Sequence, residues 1–401
     1  MQEKTTSINN FENCIKCRIC VDACPAMKAN PLYIGPKQAG PDGERLRLQD
    51  PAAFDESLKF CLNCKRCELA CPSGVKIADI IHNARESYSH KRIRIRDFML
   101  ASTDLMGSLA RPVAPLANAA LATAPAKFAL DRLFAVDAHR TFPKYASKSF
   151  EQWYRKEAAE KQKAFDRQVR YFHGCYVQNN FPELGKDFVK VMNALGYGVQ
   201  LIEGEKCCGV PMIAAGMFNA AKKHARSNID AIKGTSEPVV LTSTSCTLML
   251  RDEYAGLLKM DNSAVRDRIS HAVKFIYEAV SEGGAQLKWK ESLPHVRVAY
   301  HVPCHMETLG WSIFTRRLME MVPNLELIEL SPACCGIAGT YGFKKENYAT
   351  SQAIGKGLFD EIASINPDYV VCECETCKWQ IEMSTPYKVL NPVSILAEAL
   401  Q

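Results

Sequence analysis

Eight of the chain's 18 cysteines fall into two runs of identical spacing. One is Cys14-x2-Cys17-x2-Cys20-x3-Cys24-Pro25 and the other Cys61-x2-Cys64-x2-Cys67-x3-Cys71-Pro72. In this pattern the first three cysteines of a run hold one [4Fe–4S] cube, and the fourth crosses over to the other cube. The proline behind the last cysteine ends the local turn and leaves no N–H to satisfy. Structural zinc sites use two short pairs rather than two matched groups of four. The stretch from Cys14 to Cys71 therefore reads as the seat of two cubes.

The other cysteines belong to an internal repeat. A first copy carries Cys175, Cys207, Cys208 and Cys246; a second carries Cys304, Cys334, Cys335, Cys374 and Cys377. Cys175 and Cys304, Cys207 and Cys334, and Cys246 and Cys377 lie 129, 127 and 131 positions apart. Free cysteine is a common core residue, but five at matched positions of a repeat point to metal or redox use. A Cys-Cys pair directs its thiols differently and can bridge two irons, and Gly336 behind it lets the backbone approach a bulky core. The first copy has Ser243 where the second has Cys374, and a hydroxyl is a poor iron ligand. Its four thiols are left with three readings: an ordinary cube, an altered cluster, or nothing. Cys372 reads as a packing cysteine. His173, His301 and His305 flank these cysteines, either to bond cluster sulfur or as satisfied buried imidazoles. Lys344-Lys345 is either a docking surface or a solvated helix start.

Each repeat cysteine needs a strand to aim it. Strands ending before Cys175 and Cys304 begin near Val169 and Val298, and strands near 199–202 and 325–330 lead to the Cys-Cys-Gly turns. Strands at 238–242 and 369–372 lead to the last motif. Between them helices are expected over 184–195, closed by Gly196, and over 311–322, 220–232 and 348–362. Final helices are expected at 272–280 and 393–400. Strand and helix alternate, so each copy is an α/β unit with a parallel or mixed sheet and its motifs at strand ends. Around the first motif, 53–60 and 75–87 read as helices, the latter with Val75, Ile77, Ile80, Ile81 and Ala84 on one face.

The chain has 401 residues, 47% hydrophobic and 23% charged, a composition that builds a sizeable core without disulfides. The N-terminus shows no apolar secretory segment, and residues 1–10 read as a loose tail. The net charge of +6 comes without interleaved aromatics, which argues against nucleic acid. Neither a Gly-rich dinucleotide turn nor a P-loop is present, so no NAD, FAD or ATP site is expected. Residues 91–148 hold ten Lys or Arg against four Asp, and the longest uncharged run there, 112–126, is too short and too proline-rich to span a bilayer. This segment reads as a linker packed on its neighbours with a solvated basic face, or as an amphipathic surface lying on an anionic membrane.

The double cysteine run followed by two Cys-Cys-Gly repeats resembles the iron–sulfur subunits of respiratory 2-hydroxyacid oxidases and the B subunits of heterodisulfide reductases. The stretches 11–17, 35–48, Cys334-Cys-Gly-Ile-Ala-Gly-Thr-Tyr-Gly-Phe-Lys-Lys-Glu-Asn347 and Cys374-Glu-Thr-Cys-Lys-Trp379 resemble the C subunits of bacterial anaerobic glycerol-3-phosphate dehydrogenases. The resemblance implies an α/β fold class: a helical two-[4Fe–4S] ferredoxin domain followed by two tandem α/β Cys-Cys-Gly repeats. The divisions are 1–90 for the ferredoxin domain, 91–167 for the basic amphipathic linker, 168–290 for the first repeat and 291–401 for the second. It further implies one additional, non-cubane [4Fe–4S] cluster on Cys304, Cys334, Cys335, Cys374 and Cys377; Ser243 places the first repeat outside that pattern. By resemblance the chain is a non-catalytic electron-transfer subunit. It takes electrons from flavin-containing A/B subunits that oxidise glycerol 3-phosphate, passes them to menaquinone, and attaches the complex peripherally to the cytoplasmic face of the inner membrane. The alternatives are a related 2-hydroxyacid oxidase subunit, or a disulfide or quinone reductase with its chemistry at the Cys304 cluster.

Overall fold

The computed structural model describes residues 10–88 and 93–401. The polar tail before Asn10 and the Lys91-Arg92 opening of the basic segment lie outside them.

Residues 10–88 hold helices and turns and, among the described residues, no strand. The helix expected at 75–87 is Ile77–Tyr88, with Ile77, Ile80, Ile81 and Ala84 buried. The one expected at 53–60 is instead two 3-10 turns, Pro51–Ala53 and Glu56–Phe60. Asp50 and Asp55 each accept the N–H two residues on, at 2.9 and 2.6 Å. Such local Asp bonds offer the backbone an alternative to a continuous helix.

Each repeat carries a four-stranded, wholly parallel sheet. The first contains β1 (Arg167–Phe172), β2 (Tyr197–Leu201), β3 (Val239–Leu241) and β4 (Ile269–His271), in the order β2-β1-β3-β4. The second contains β5 (Val296–Tyr300), β6 (Leu325–Glu329), β7 (Tyr369–Val371) and β8 (Val389–Leu390), in the order β6-β5-β7-β8. Strands β4 and β8, three and two residues long, are too short to leave a period in the sequence. In both sheets the strand order reverses beside the first strand, which opens a crevice at the carboxyl ends of the strands.

The two repeats pack reciprocally. Helix Pro182–Ala194 of the first lies on Pro392–Ala399 of the second, and Ala272–Ser281 of the first on Ser312–Glu320 of the second. One core runs through both, with Val169, Phe188, Val298, Tyr300 and Leu396 all buried in it. A helical run over 150–162, not anticipated above, braces this core through Phe150 and Tyr154. Its signal was in the sequence: Ser149 and Gln152 form a capping box.

The basic segment forms four helices, Ile95–Ala101, Thr103–Ala110, Ala114–Ala122 and Ala124–Phe134. They pack on the first repeat, Ile95–Ala101 against Val210–Ala214 and Thr103–Ala110 against the Gly174–Asn179 helix that carries Cys175, and are tied to the second by ion pairs. Arg96 forms a bidentate pair with Glu346 at 2.8 Å. Lys344 and Lys345, read above as a docking surface or a solvated start, instead bond Asp97 and Asp131 of this segment. The outward face is apolar rather than a plain basic one. Among the described residues, nine of the sixteen exposed large apolar side chains lie at Ile93, Ile95, Phe98, Leu105, Leu109, Val113, Leu116, Phe128 and Leu133.

Candidate iron–sulfur centres

In each ferredoxin-type loop the residues on either side of the middle cysteine take a left-handed backbone: Lys16 (φ 62°) and Arg18 (φ 68°), Asn63 (φ 53°) and Lys65 (φ 60°). Four non-glycine residues at matched positions in this region are costly and persist where function demands them. Such turns direct successive N–H groups inward, as an anionic core requires. The side chains sort with the fourth cysteine crossed. Cys14, Cys17, Cys20 and Cys71 line one small recess, whereas Cys24 lies near Cys61 and Cys67. Cys20 and Cys24 are pushed up to about 11, chiefly by burial. Cys17 is exposed and Cys67 buried, so one group of four faces solvent and the other faces the protein.

The inner group meets the second repeat. The Cys64 and Cys304 thiols are in contact, close enough to shift each other's acidity. Cys304 and Cys334 pack in one cluster with Cys24 and Cys67. Arg66 fixes the junction by donating to Ala333 O at 3.1 Å and pairing with Glu307 at 3.0 Å. His305 is satisfied rather than free, bonded to Ser245 Oγ at 3.0 Å and to Asn63 O at 3.2 Å.

The five thiols of the second repeat converge. Cys304 touches Cys334, Cys334 touches Cys335, and Cys335 Sγ is 3.2 Å from Cys377 Sγ, which in turn contacts Cys374. The Cys377 thiol holds Cys374 down to about 6, and bonds from neighbouring thiols hold Cys304 and Cys335 low. Contacts with neighbouring thiols hold Cys334 and Cys377 high in turn, so three readily ionised thiols alternate with two bonded to them, five soft donors of the kind an iron–sulfur core takes. Gly336 (φ 87°) closes the turn where a Cβ would stand 2.0 Å from Ser351 O. Cys372 is buried in the core, as a packing cysteine would be, with its thiol in contact with Cys377 and within 4.8 Å of a His301 ring nitrogen.

In the first repeat, Cys175 contacts Cys207, Cys207 contacts Cys208, and Cys208 contacts Cys246. Ser243 is occupied otherwise. Its hydroxyl accepts from Cys246 N at 3.4 Å, as the helix N-cap, and donates to Glu375 at 2.9 Å. Glu375, held up to about 8 by burial and then by Cys374, thereby links the two repeats. His173 is held by Glu205, whose carboxylate also accepts from Gly174 N at 2.6 Å. The basic segment completes this centre, since Asp104 accepts from Cys207 N at 2.9 Å and Thr103 lies beside the Cys207 thiol. Nothing in the spacing of Thr103 or Asp104 marks that role.

Both repeat centres open onto one cavity of about 870 Å3, which Cys61, Cys64 and the basic segment also line. Beside it Lys65, fully buried between Cys64 and Cys67, binds Asp79, Glu253 (2.9 Å) and Glu68 (3.5 Å), joining the dicluster unit to the first repeat.

The comparisons agree with this layout. Residues 10–75 match a 4Fe-4S dicluster domain, and 169–251 and 298–382 each match a Cysteine-rich domain. Over 395 residues the chain is 52% identical to the C subunit of the anaerobic glycerol-3-phosphate dehydrogenase of Escherichia coli (strain K12), covering 98% of this chain and 99% of that one. It is 24% identical to a probable glycolate oxidase iron-sulfur subunit of Bacillus subtilis, over 82% of this chain and 79% of the relative. It is 23% identical to the B subunit of the fumarate reductase (CoM/CoB) of Methanothermobacter marburgensis, over 96% of this chain and 70% of the relative.

Proposed function

The chain belongs to the family of anaerobic glycerol-3-phosphate dehydrogenase C subunits, and from that membership we propose that it carries electrons from a flavin-bearing A/B pair toward a membrane quinone such as menaquinone. The observation that carries this reading is the contact of Cys64 with Cys304, with the exposed Cys17 at the opposite end of the same unit. In this reading Cys14, Cys17, Cys20 and Cys71 hold the outer cube, and Cys61, Cys64, Cys67 and Cys24 the inner one. Cys304, Cys334, Cys335, Cys374 and Cys377 hold a third cluster, and Cys175, Cys207, Cys208 and Cys246 are close enough to share a fourth without Ser243. When bound, such clusters supply one-electron storage at potentials set by charge, burial and hydrogen bonds. The protein's part is to bring the sets edge to edge and to keep the inner ones from water.

The outer loop is the docking point for the flavin pair. Lys16 and Arg18 flank Cys17, and exposed Ile15 and Ile19 frame it. A basic rim steers an acidic partner surface, a rate effect that salt screens. No helix among the described residues is long and apolar enough to cross a membrane. Attachment is assigned to the apolar outer face of 93–134, lying on the lipid surface.

The test is charge reversal of Lys16 and Arg18 to Glu in the assembled complex. Electron entry from glycerol 3-phosphate slows at least tenfold at low salt and the difference shrinks at high salt, while cluster signals persist. Unchanged entry would refute the docking assignment.

A further inference from the structure

The basic segment lends the cavity an apolar arm, Met99, Leu100, Met106, Leu121, Leu130 and Phe134, none of which offers a thiolate. Ile93, half exposed, lines the same cavity and belongs to the apolar outer face of the segment. His82 lines the cavity as well. Its side chain is 1% exposed, its Nδ1 accepts from Arg85 at 3.2 Å, and so Nε2 carries the proton. That Nε2 is buried with no hydrogen-bond partner, on a residue that lines the cavity. Burial first, then the neighbouring Arg85, holds this imidazole well below its ordinary value, so it is a neutral donor. An unpaired buried donor is costly unless something completes it.

We propose that this arm binds the head of an amphipathic quinone, with His82 Nε2 donating to a ring carbonyl oxygen and the apolar tail lying along Leu100, Leu121 and Leu130 toward Ile93. The inference rests on the quinone-linked reading above and deepens it by placing the acceptor. A quinone fits because its two carbonyl oxygens accept without charge, its ring and tail match the apolar wall, and it partitions into lipid, on which the outer face of the same segment is proposed to lie. Reduction balances with the partner chemistry proposed above: glycerol 3-phosphate loses two electrons and two protons to the flavin pair, the flavin pair gives the two electrons up singly through the relay to the quinone, and two protons from water complete its two O–H groups.

The test uses the assembled complex in lipid vesicles, with a short-tailed naphthoquinone bearing a photoreactive azide. In wild type the label maps to residues of the 93–134 segment. His82→Leu raises KM for the quinone about five- to tenfold and reduces labelling. Turnover with a water-soluble dye and the cluster EPR spectra stay within twofold of wild type, and His82→Gln, which keeps an N–H donor, restores most of the affinity. Leu130→Trp, which fills the arm without touching the ferredoxin unit, also reduces labelling. Labels elsewhere, or unchanged labelling and KM in both variants, would overturn the chamber while leaving a quinone-linked function. A wild-type complex that neither binds nor reduces the quinone would overturn that function and the chamber together.

Discussion

Replacing Lys65 by methionine removes the buried cation from a group of three buried carboxylates and leaves, among the described residues, only the half-exposed Lys76, 3.9 Å from Glu68, paired with them. Lys65 is 2% exposed at the side chain, and the partners Asp79, Glu68 and Glu253 are each less than a tenth exposed. Methionine keeps the length and apolar stem but leaves the carboxylates facing one another in a low-dielectric interior. Removing one partner of a buried pair costs about 3–5 kcal/mol, because the remaining charge is stranded. The loss has a pH signature. Burial already holds the Glu68 and Asp79 carboxyls above their usual range, and the Lys65 ammonium is the largest influence pulling them down. Without it they rise further. An acid whose pKa is higher folded than unfolded contributes stability that is fully present below the unfolded value of about 4 and lost as pH rises through the folded one. Lys65→Met is therefore weakest at neutral pH and regains stability on acidification toward about pH 5, more than wild type does. Urea unfolding of the cluster-loaded chain across that range, followed by circular dichroism, reads it as a midpoint shift at constant slope. Because Lys65 bridges to Glu253, the same variant loosens the Cys64–Cys304 junction and weakens magnetic coupling between the clusters there. An unchanged urea midpoint at neutral pH, or a deficit that deepens on acidification, would refute the reasoning.

The two Cys-Cys-Gly turns differ in tolerance. A Cβ at Gly336 stands 2.0 Å from Ser351 O, whereas one at Gly209 meets Ala221 Cβ at 3.3 Å. Both lie at positive φ, which costs a non-glycine residue about 1–2 kcal/mol, so Gly209→Ala retains iron in its repeat and Gly336→Ala loses it from the second, read by iron content. On the outer face, Leu116→Glu with Phe128→Glu weakens binding to anionic lipid vesicles at least tenfold in a sedimentation assay; undiminished binding would remove this face from membrane attachment.

Much of this was legible from spacing alone. The two matched runs, the Cys-Cys-Gly turns and the alternation of strand and helix specify chemistry and layers, because thiolate spacing and hydrophobic period are local properties. What spacing does not carry is which centre touches which. The Cys64–Cys304 junction, the Asp104 bond to Cys207 and the Lys65–Glu253 tie join residues 103 to 240 positions apart, and only the assembled fold brings them together. Ser243 shows the limit most clearly. Its identity marks a departure from Cys374, but its employment as helix cap and as donor to Glu375 depends on the second repeat being packed against it. Cys372 packs in the core as expected, but alternation along the strand does not say that Cys377 and His301 are its neighbours there.

The central claim is that a continuous relay runs from the outer cube into the second repeat. Iron and acid-labile sulfide counting on the purified chain, combined with low-temperature EPR of the substrate-reduced complex, tests it most directly. The relay requires at least about 12 irons, on four per cluster, with signals that interact magnetically and a coupling that disappears in Cys304→Ser. About eight irons with two cube signals unaffected by Cys304→Ser would contradict it.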